Sequence, residues 1–336
     1  MSVYYRPVVC TDKHRPEYAL SVAGGWTWFS HVEIIERSGR VDLVPVNEVG
    51  VEILDRISGS RGQVAGLDMN ASRIMGILNV TPDSFSDGGK FDDATKSVPY
   101  ALQMISDGAD ILDIGGESTR PGAQEVTIND EIARTKPIVA AIRQVSDVPI
   151  SIDTRKSKVA ASAIEAGATM LNDVSAFQFD PEMQVTVANA GLPVCLMHAQ
   201  GSPETMQENP NYDEVLLDVY DYLRNKVEAA AGAGIPRSHI IVDPGVGFGK
   251  TLDHNLSLLR GISLFHSLGC AILLGVSRKR FIGTIGNTSL AADRMAGSVA
   301  VGMAAVSQGV QILRVHDVAE TRQALSLHQA VTTDRG

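Results

Sequence analysis

From Arg73 onward, short apolar runs alternate with longer stretches whose apolar residues recur at i, i+3 and i+4. The runs are RIMGILNV (73–80), ILDIGG (111–116), PISIDT (149–154), MLNDVSA (170–176), PVCLMHA (193–199), IIVDPG (240–245), AILLGVS (271–277) and ILRVHDV (312–318). The stretches between them, DEVLLDVYDYLRNKVEAAAGAG and SLAADRMAGSVAVGMAAVSQG among them, read as helices closed by glycine. Strands that are continuously apolar belong to a parallel sheet covered on both faces. Eight strand–helix units favour an α/β fold of the (β/α)8 TIM barrel type over a doubly wound open sheet. In such a barrel all strand ends meet at one rim. Here nearly every run ends in a polar side chain: Asn79, Asp113, Asp153, Asn172, His198, Asp243, Ser277, His316. Burying that many polar groups unpaired would be costly, so the rim is the expected site of binding or catalysis.

Residues 1–72 fall outside this rhythm. AGGWTWFSHVEIIERSGRVDLVPV reads as a pair of strands, NEVGVEILDRIS as a helix and SGSRGQVAG as a linker. His14 and His31 there are expected as surface or packing residues. The organisation expected is an N-terminal extension, 1–72, followed by the barrel, 73–336.

Composition narrows the chemistry. A net charge of −10 and a mean hydropathy near zero describe a water-soluble chain and argue against nucleic acid or an anionic membrane as partner. The N-terminus has no apolar leader core, and no apolar run is long enough to span a bilayer. Cys10, Cys195 and Cys270 are far apart and lack metal-ligand spacing, as expected of reduced thiols in a cytoplasmic protein.

Small anionic ligands remain, provided a basic cluster exists. SRKR (Ser277, Arg278, Lys279, Arg280) follows the seventh run, and Arg314 and His316 share a face of the eighth. Barrel loops after strands seven and eight often hold phosphate; a solvated charged face is the competing reading. Asp113, Asp153, Asn172 and Asp243 could form a metal cage, or could read the N–H edge of a heterocycle such as an aminopyrimidinone. Any one of the aspartates could instead be a helix cap. DPGVGFGKT (243–251) lacks the glycine that a Walker loop needs, having Pro244 there, and its glycines do not follow G-x-G-x-x-G. It reads as a tight turn that brings Asp243 and Phe248 to the rim. GGESTRPGA (115–123) and the loop of GILNVTPDSFSDGGKF (76–91), with its lone Phe85, read as substrate loops.

In combination these segments resemble the dihydropteroate synthase family. The matching pieces are GILNVTPDSFSDGG, DIGGESTRPGA, SIDTRKSKVA, LNDVSA, MHAQGSPETMQ, DPGVGFGK, SRKRFIG and RVHDV, in order from about Arg73 to Val318. The resemblance implies a condensation of 6-hydroxymethyl-7,8-dihydropterin diphosphate with p-aminobenzoate, assisted by Mg2+, in which pyrophosphate leaves before the arylamine attacks. It implies pterin contacts at Asp153, Asn172, Asp243 and Lys279, with Asp113, Met197 and Phe248 lining the same pocket. Arg314 and His316, beside Ser277, would hold the diphosphate, and Asn79 the Mg2+. Lys279, Arg120 and Asp87 would be catalytic; Thr119, Arg120 and Asp87 would fold over the substrate, and Phe85 and Pro121 would wall the p-aminobenzoate pocket. A homodimer is also implied, and the family is the one that sulfonamides target. Two positions depart from the pattern: Arg280 stands where some members have a serine, and Ala199 where methionine is frequent. The arylamine carboxylate would then be met by a backbone N–H at a helix N-terminus, helped by Arg280. A pterin-dependent methyltransferase barrel and a non-catalytic pterin-binding paralogue are the alternatives.

Overall fold

The computed structural model describes residues 3–80, 94–118, 123–201 and 205–332. Four antiparallel strands come first: β1 (Val3–Cys10), β2 (Leu20–Ser21), β3 (Trp28–Glu36) and β4 (Val41–Pro45), followed by helix α1 (Val51–Ser58). β3 is central, with β1 along one edge and β2 and β4 sharing the other. The strand pair and helix expected from the sequence are therefore β3, β4 and α1. β1 and β2 extend the sheet, and their weaker alternation hid them.

The rest is a closed barrel of eight parallel strands. In chain order these are β5 (Arg73–Asn79), β6 (Ile111–Gly115), β7 (Ile150–Asp153), β8 (Met170–Asp173), β9 (Val194–Met197), β10 (Ile240–Asp243), β11 (Ala271–Leu274) and β12 (Ile312–Val315). The helices between and after them are α2 (Ala94–Ser106), α3 (Ile128–Arg143), α4 (Ser157–Glu165), α5 (Glu182–Ala190), α6 (Val215–Gly232) and α7 (Leu252–Arg260). α8 (Arg280–Ile285) and α9 (Met295–Val306) both follow β11, and α10 (Val318–Thr332) follows β12. The protein is a (β/α)8 barrel. Among the described residues no helix is long and apolar enough to cross a membrane.

Side chains on a strand alternate between its faces. The outward set, including Ile74, Leu112, Ile152, Leu171, Leu196, Val242, Ile272 and Leu313, packs under the helices. The inward set is apolar low in the barrel: Met75, Ile111, Met170, Cys195, Ile241, Leu273 and Ile312. Two residues further along four of these strands it turns polar, at Asp113, Asn172, Asp243 and Arg314.

The segment expected as a linker is not one. Val64 and Met69 are fully buried and fill the N-terminal mouth of the barrel against that inward apolar set. Arg61 donates to the carbonyls of Gly59 (2.8 Å) and His266 (3.0 Å), tying the segment to the turn before β11. A stretch rich in glycine and serine resembles a linker by composition, but its Val64, with Met69 just beyond it, makes it a plug. The sheet itself docks on the barrel wall. Tyr4 donates to Asp221 (2.7 Å) and Arg37 pairs with Asp218 and Asp221 on α6, while the Trp26 indole donates to the Val306 carbonyl.

Candidate active site

A mostly polar layer lies just above the apolar interior. Asp113, Asn172, Met197, Asp243 and Arg314 each stand two residues after an inward-facing apolar residue, and Asp153 two after the buried Ser151, so strand periodicity alone aims all six into the barrel. Asp113 is fully buried, and Asp153, Asn172 and Asp243 are nearly so. Arg314 joins them: its Nε donates to Asp113 Oδ2 at 2.6 Å and its Nη2 to Asp153 Oδ2 at 2.8 Å. Asn172 Nδ2 also donates to Asp113 Oδ2, at 3.3 Å.

The second oxygen of each carboxylate has no such partner. Asp113 Oδ1 and Asp153 Oδ1 are buried and accept no hydrogen bond from any described residue. A buried acceptor left unpaired costs about 1–3 kcal/mol, so two of them on carboxylates that share Arg314 would be relieved by a ligand that brings donors. Burial raises the Asp153 carboxyl to about 7; Arg314 opposes the rise, while Asp113, Glu131 and Asp173 reinforce it. Burial likewise raises Asp243, against Lys279 and the Gly245 N–H.

Lys279, at the N-cap of α8 beyond β11, closes the pocket. It donates to the Val246 carbonyl, and its ammonium lies 4.6 Å from the centre of the Phe248 ring. Burial pulls its pKa down to about 8, with Asp243 pulling the other way. The 243–251 segment is the tight turn expected: Gly245, Gly247 and Gly249 all have positive φ. At Gly245 a Cβ would sit 1.8 Å from the His198 carbonyl oxygen, so only glycine lets the β9 and β10 ends approach this closely. Met197, at the end of β9, is buried beside this turn.

His316 stands one residue beyond β12, its Nδ1 2.9 Å from Ser277 Oγ, while its backbone N–H donates to the same hydroxyl. Arg278 turns away to pair with Asp317, and Arg280 is exposed at the start of α8. Asn79 ends β5. A Cβ on Gly115 would meet Asp153 Cβ at 3.5 Å, Asn79 Oδ1 at 3.7 Å and Asp153 Oδ2 at 3.8 Å, so glycine keeps the space between these two side chains open. Among the described residues no group of three or more His, Cys, Asp or Glu side chains could cage a metal ion. The metal-cage reading of the aspartates therefore finds no support, whereas a lone hard oxygen such as Asn79 Oδ1 fits an ion that keeps most of its waters. Phe85, Asp87, Thr119, Arg120 and Pro121 lie outside the described residues.

One cluster escaped the sequence reading. Glu117, after β6, accepts from Arg155 (3.0 Å), from Lys156 (3.1 Å) and from the Val126 N–H (2.9 Å). Lys156 also reaches Glu131 (2.8 Å) and the Val126 carbonyl (2.6 Å). Burial would raise the Glu117 pKa, but Val126 and the two cations outweigh it and hold it low. The signal was present in GGES and DTRKS, yet nothing in one sequence says that the two motifs touch.

Fold and rim together define a (β/α)8 barrel whose rim sets buried carboxylate acceptors beside the cations of Arg314 and Lys279. A family model described as pterin binding enzyme matches residues 75–316. The dihydropteroate synthase of Escherichia coli K12 is 45% identical over 268 residues, covering 80% of this chain and 94% of that protein. Two solved structures of the Xanthomonas albilineans enzyme superpose well. The one with 4-aminobenzoic acid has a TM-score of 0.76 at 42% identity, covering 82% of this chain and 98% of that one. The one in complex with 7,8-dihydropteroate has a TM-score of 0.73 at 39% identity, covering 82% and 99%. The chain belongs to the pterin binding enzyme family, among the dihydropteroate synthases.

Proposed function

We propose that the chain condenses 6-hydroxymethyl-7,8-dihydropterin diphosphate with p-aminobenzoate to give 7,8-dihydropteroate and pyrophosphate. The observation that carries this reading is the pair of buried, unpaired carboxylate oxygens on Asp113 and Asp153, a receptor for adjacent N–H groups of an aminopyrimidinone ring. Asn172 and Asp243 complete that edge, Lys279 donates from the opposite side, and Met197 and Phe248 cover the ring face. Arg314 and His316, with Ser277, attract the diphosphate. The C–O bond to the diphosphate breaks, the arylamine nitrogen bonds to the same carbon, and that nitrogen then loses a proton. Fixed cations favour the first event, because negative charge grows on the leaving oxygens. Mg2+, when bound, would neutralise part of that charge, and Asn79 is the side chain that would hold it. Asp87, Thr119, Arg120, Phe85 and Pro121 keep the substrate-covering roles that the resemblance gives them. Retention of the cations at the rim favours an enzyme over a non-catalytic paralogue or a methyltransferase, which need no diphosphate site.

Two measurements test this. Purified protein with Mg2+ and both substrates should release pyrophosphate, and with the pterin diphosphate alone it should release far less; no release with both would sink the assignment. Affinity for 6-hydroxymethylpterin should follow the two shifted groups. Asp153 must be ionised to accept, so affinity rises about tenfold per pH unit up to its pKa near 7. Lys279 must be protonated to donate, so affinity falls above its pKa near 8. Calorimetric titration should show the acid limb vanish in Asp153→Asn and the alkaline limb move upward in Lys279→Arg. Unchanged limbs would assign the profile to the ligand's own ionisation.

A homodimer is part of the same reading. α9 is apolar on all sides, and its Ala296, Ala300 and Ala304 face outward. Ala300→Arg should therefore sediment as a monomer where the parent sediments as a dimer. The cytoplasm is the compartment proposed, in keeping with three free thiols. Residues 1–72 are proposed to support the barrel without contributing a catalytic group.

A further inference from the structure

We infer that Lys250 and His198 form a positioning pair that sets the pterin pocket by locking the turn carrying Phe248. Both side chains are nearly fully buried. Lys250 Nζ lies 2.9 Å from His198 Nδ1, donates to the Phe248 carbonyl at 2.9 Å and reaches the His198 carbonyl at 3.4 Å. A fully buried ammonium group is expensive unless its partners are fixed, and neither residue belongs to the acceptor set of Asp113 and Asp153. Their partners show what they hold. The Phe248 carbonyl is on Lys250 while the Phe248 ring lies against Lys279, so the bond to Lys250 determines where that ring stands.

Further contacts hold the rest of the same turn and leave the Phe248 carbonyl to Lys250. The His198 N–H donates to the Asp243 carbonyl at 3.0 Å, Gln207 donates to the Gly247 carbonyl at 2.7 Å, and Tyr212 donates to the Gly249 carbonyl at 2.7 Å. Gly247 N–H is held by Asn255 at 2.7 Å. The His198 ring packs edge-on against Tyr222, with centroids 4.7 Å apart, which fixes the direction of Nδ1. Lys250 thus sits where the ends of β9 and β10 meet, one step behind the residues that touch the ligand. Burial, and then the Lys250 charge, push His198 down to about 2, so the ring is neutral and its Nδ1 accepts from Lys250, whose own pKa burial pulls well down.

The inference rests on the pterin reading of the pocket, and the experiment separates the two. The probe is 6-hydroxymethylpterin, titrated calorimetrically into the full-length parent, Lys250→Met, His198→Gln and His198→Asn. Asparagine places a polar atom where Nδ1 stands and glutamine places it where Nε2 stands, so only His198→Asn restores the contact to Lys250. Expected are at least tenfold weaker binding for Lys250→Met and His198→Gln, and a Kd within about threefold of the parent for His198→Asn. Equal binding by all four proteins overturns the inference. Equal weakening in both histidine variants also overturns it, by assigning the effect to the lost ring on Tyr222. If Lys250→Met does not fold, the two histidine variants decide alone. No binding by the parent would overturn the pterin reading itself, and with it this inference.

Discussion

Arg314→Met should cost both stability and turnover, and the stability cost should grow with pH. The guanidinium lies between two buried carboxylates, at 2.6 Å and 2.8 Å, and is itself only 21% exposed. Removing one member of a buried ion cluster typically costs about 3–5 kcal/mol, because the remaining charge stays desolvated. For a chain of this size that lowers Tm by roughly 5–10 °C. Part of the cost is relieved by protonation. Asp153 already has a folded-state pKa near 7, raised by burial, and the loss of Arg314 removes the main influence opposing that rise. The folded variant therefore keeps a proton on Asp153 to higher pH than the folded parent does. A group whose folded pKa is raised contributes stability below it that is lost as pH rises through it. The deficit of the variant should then be smaller on the acid side of pH 7 and larger on the alkaline side. A deficit constant with pH would refute the ion cluster as its source. On the kinetic side, losing one preorganised group at a leaving-group site typically costs about 10²–10³ in rate. Binding of the pterin diphosphate should weaken more than binding of free 6-hydroxymethylpterin; equal losses would remove Arg314 from the anion site.

The same residue shows how far the sequence could be read. The barrel was legible because eight apolar runs recur with helical stretches between them, and a polar residue near each run's end marked the rim. The polar layer was legible for the same reason, since period-two alternation puts Asp113, Asp153 and Arg314 two steps above Ile111, Ser151 and Ile312. What the pattern could not carry was the pairing across the barrel. Arg314 and Asp113 are 201 positions apart, and only closure of the sheet through β12 and β5 brings them together. The Glu117–Lys156–Glu131 cluster was hidden likewise, because it joins two motifs that each already had a separate reading. The plug was missed for an opposite reason. Glycine and serine dominated the composition of residues 58–66 and outweighed Val64, whose burial depends on where the chain has to pass rather than on its neighbours.

That passage sets the second large expectation. Val64→Asp should destabilise the protein by more than about 4 kcal/mol at neutral pH, since it places a carboxyl among Met75, Ile111, Met170, Cys195, Ile241 and Ile312 with no partner for its charge. Val64→Ala, which removes only two methyl groups, should cost about 2 kcal/mol. Leu43→Asp is the control. It lies in the same extension but is 62% exposed on β4, and a change there should stay within about 0.5 kcal/mol. Denaturant midpoints of the three variants measure the differences. If Val64→Asp were as stable as Leu43→Asp, the segment would be the linker its composition suggests. The new carboxyl would titrate upward in the folded state, so its penalty should shrink as pH falls toward the unfolded value near 4. Kinetics separate support from chemistry. The plug and the polar layer sit at opposite ends of the barrel with the inward apolar set between them. Molecules of Val64→Asp that remain folded should therefore keep the parent KM for both substrates, and activity should fall only in proportion to the folded fraction. A raised KM in the folded population would instead mean that the apolar layer transmits strain from the plug to Asp113 and Asp153, so that residues 1–72 help to shape the site.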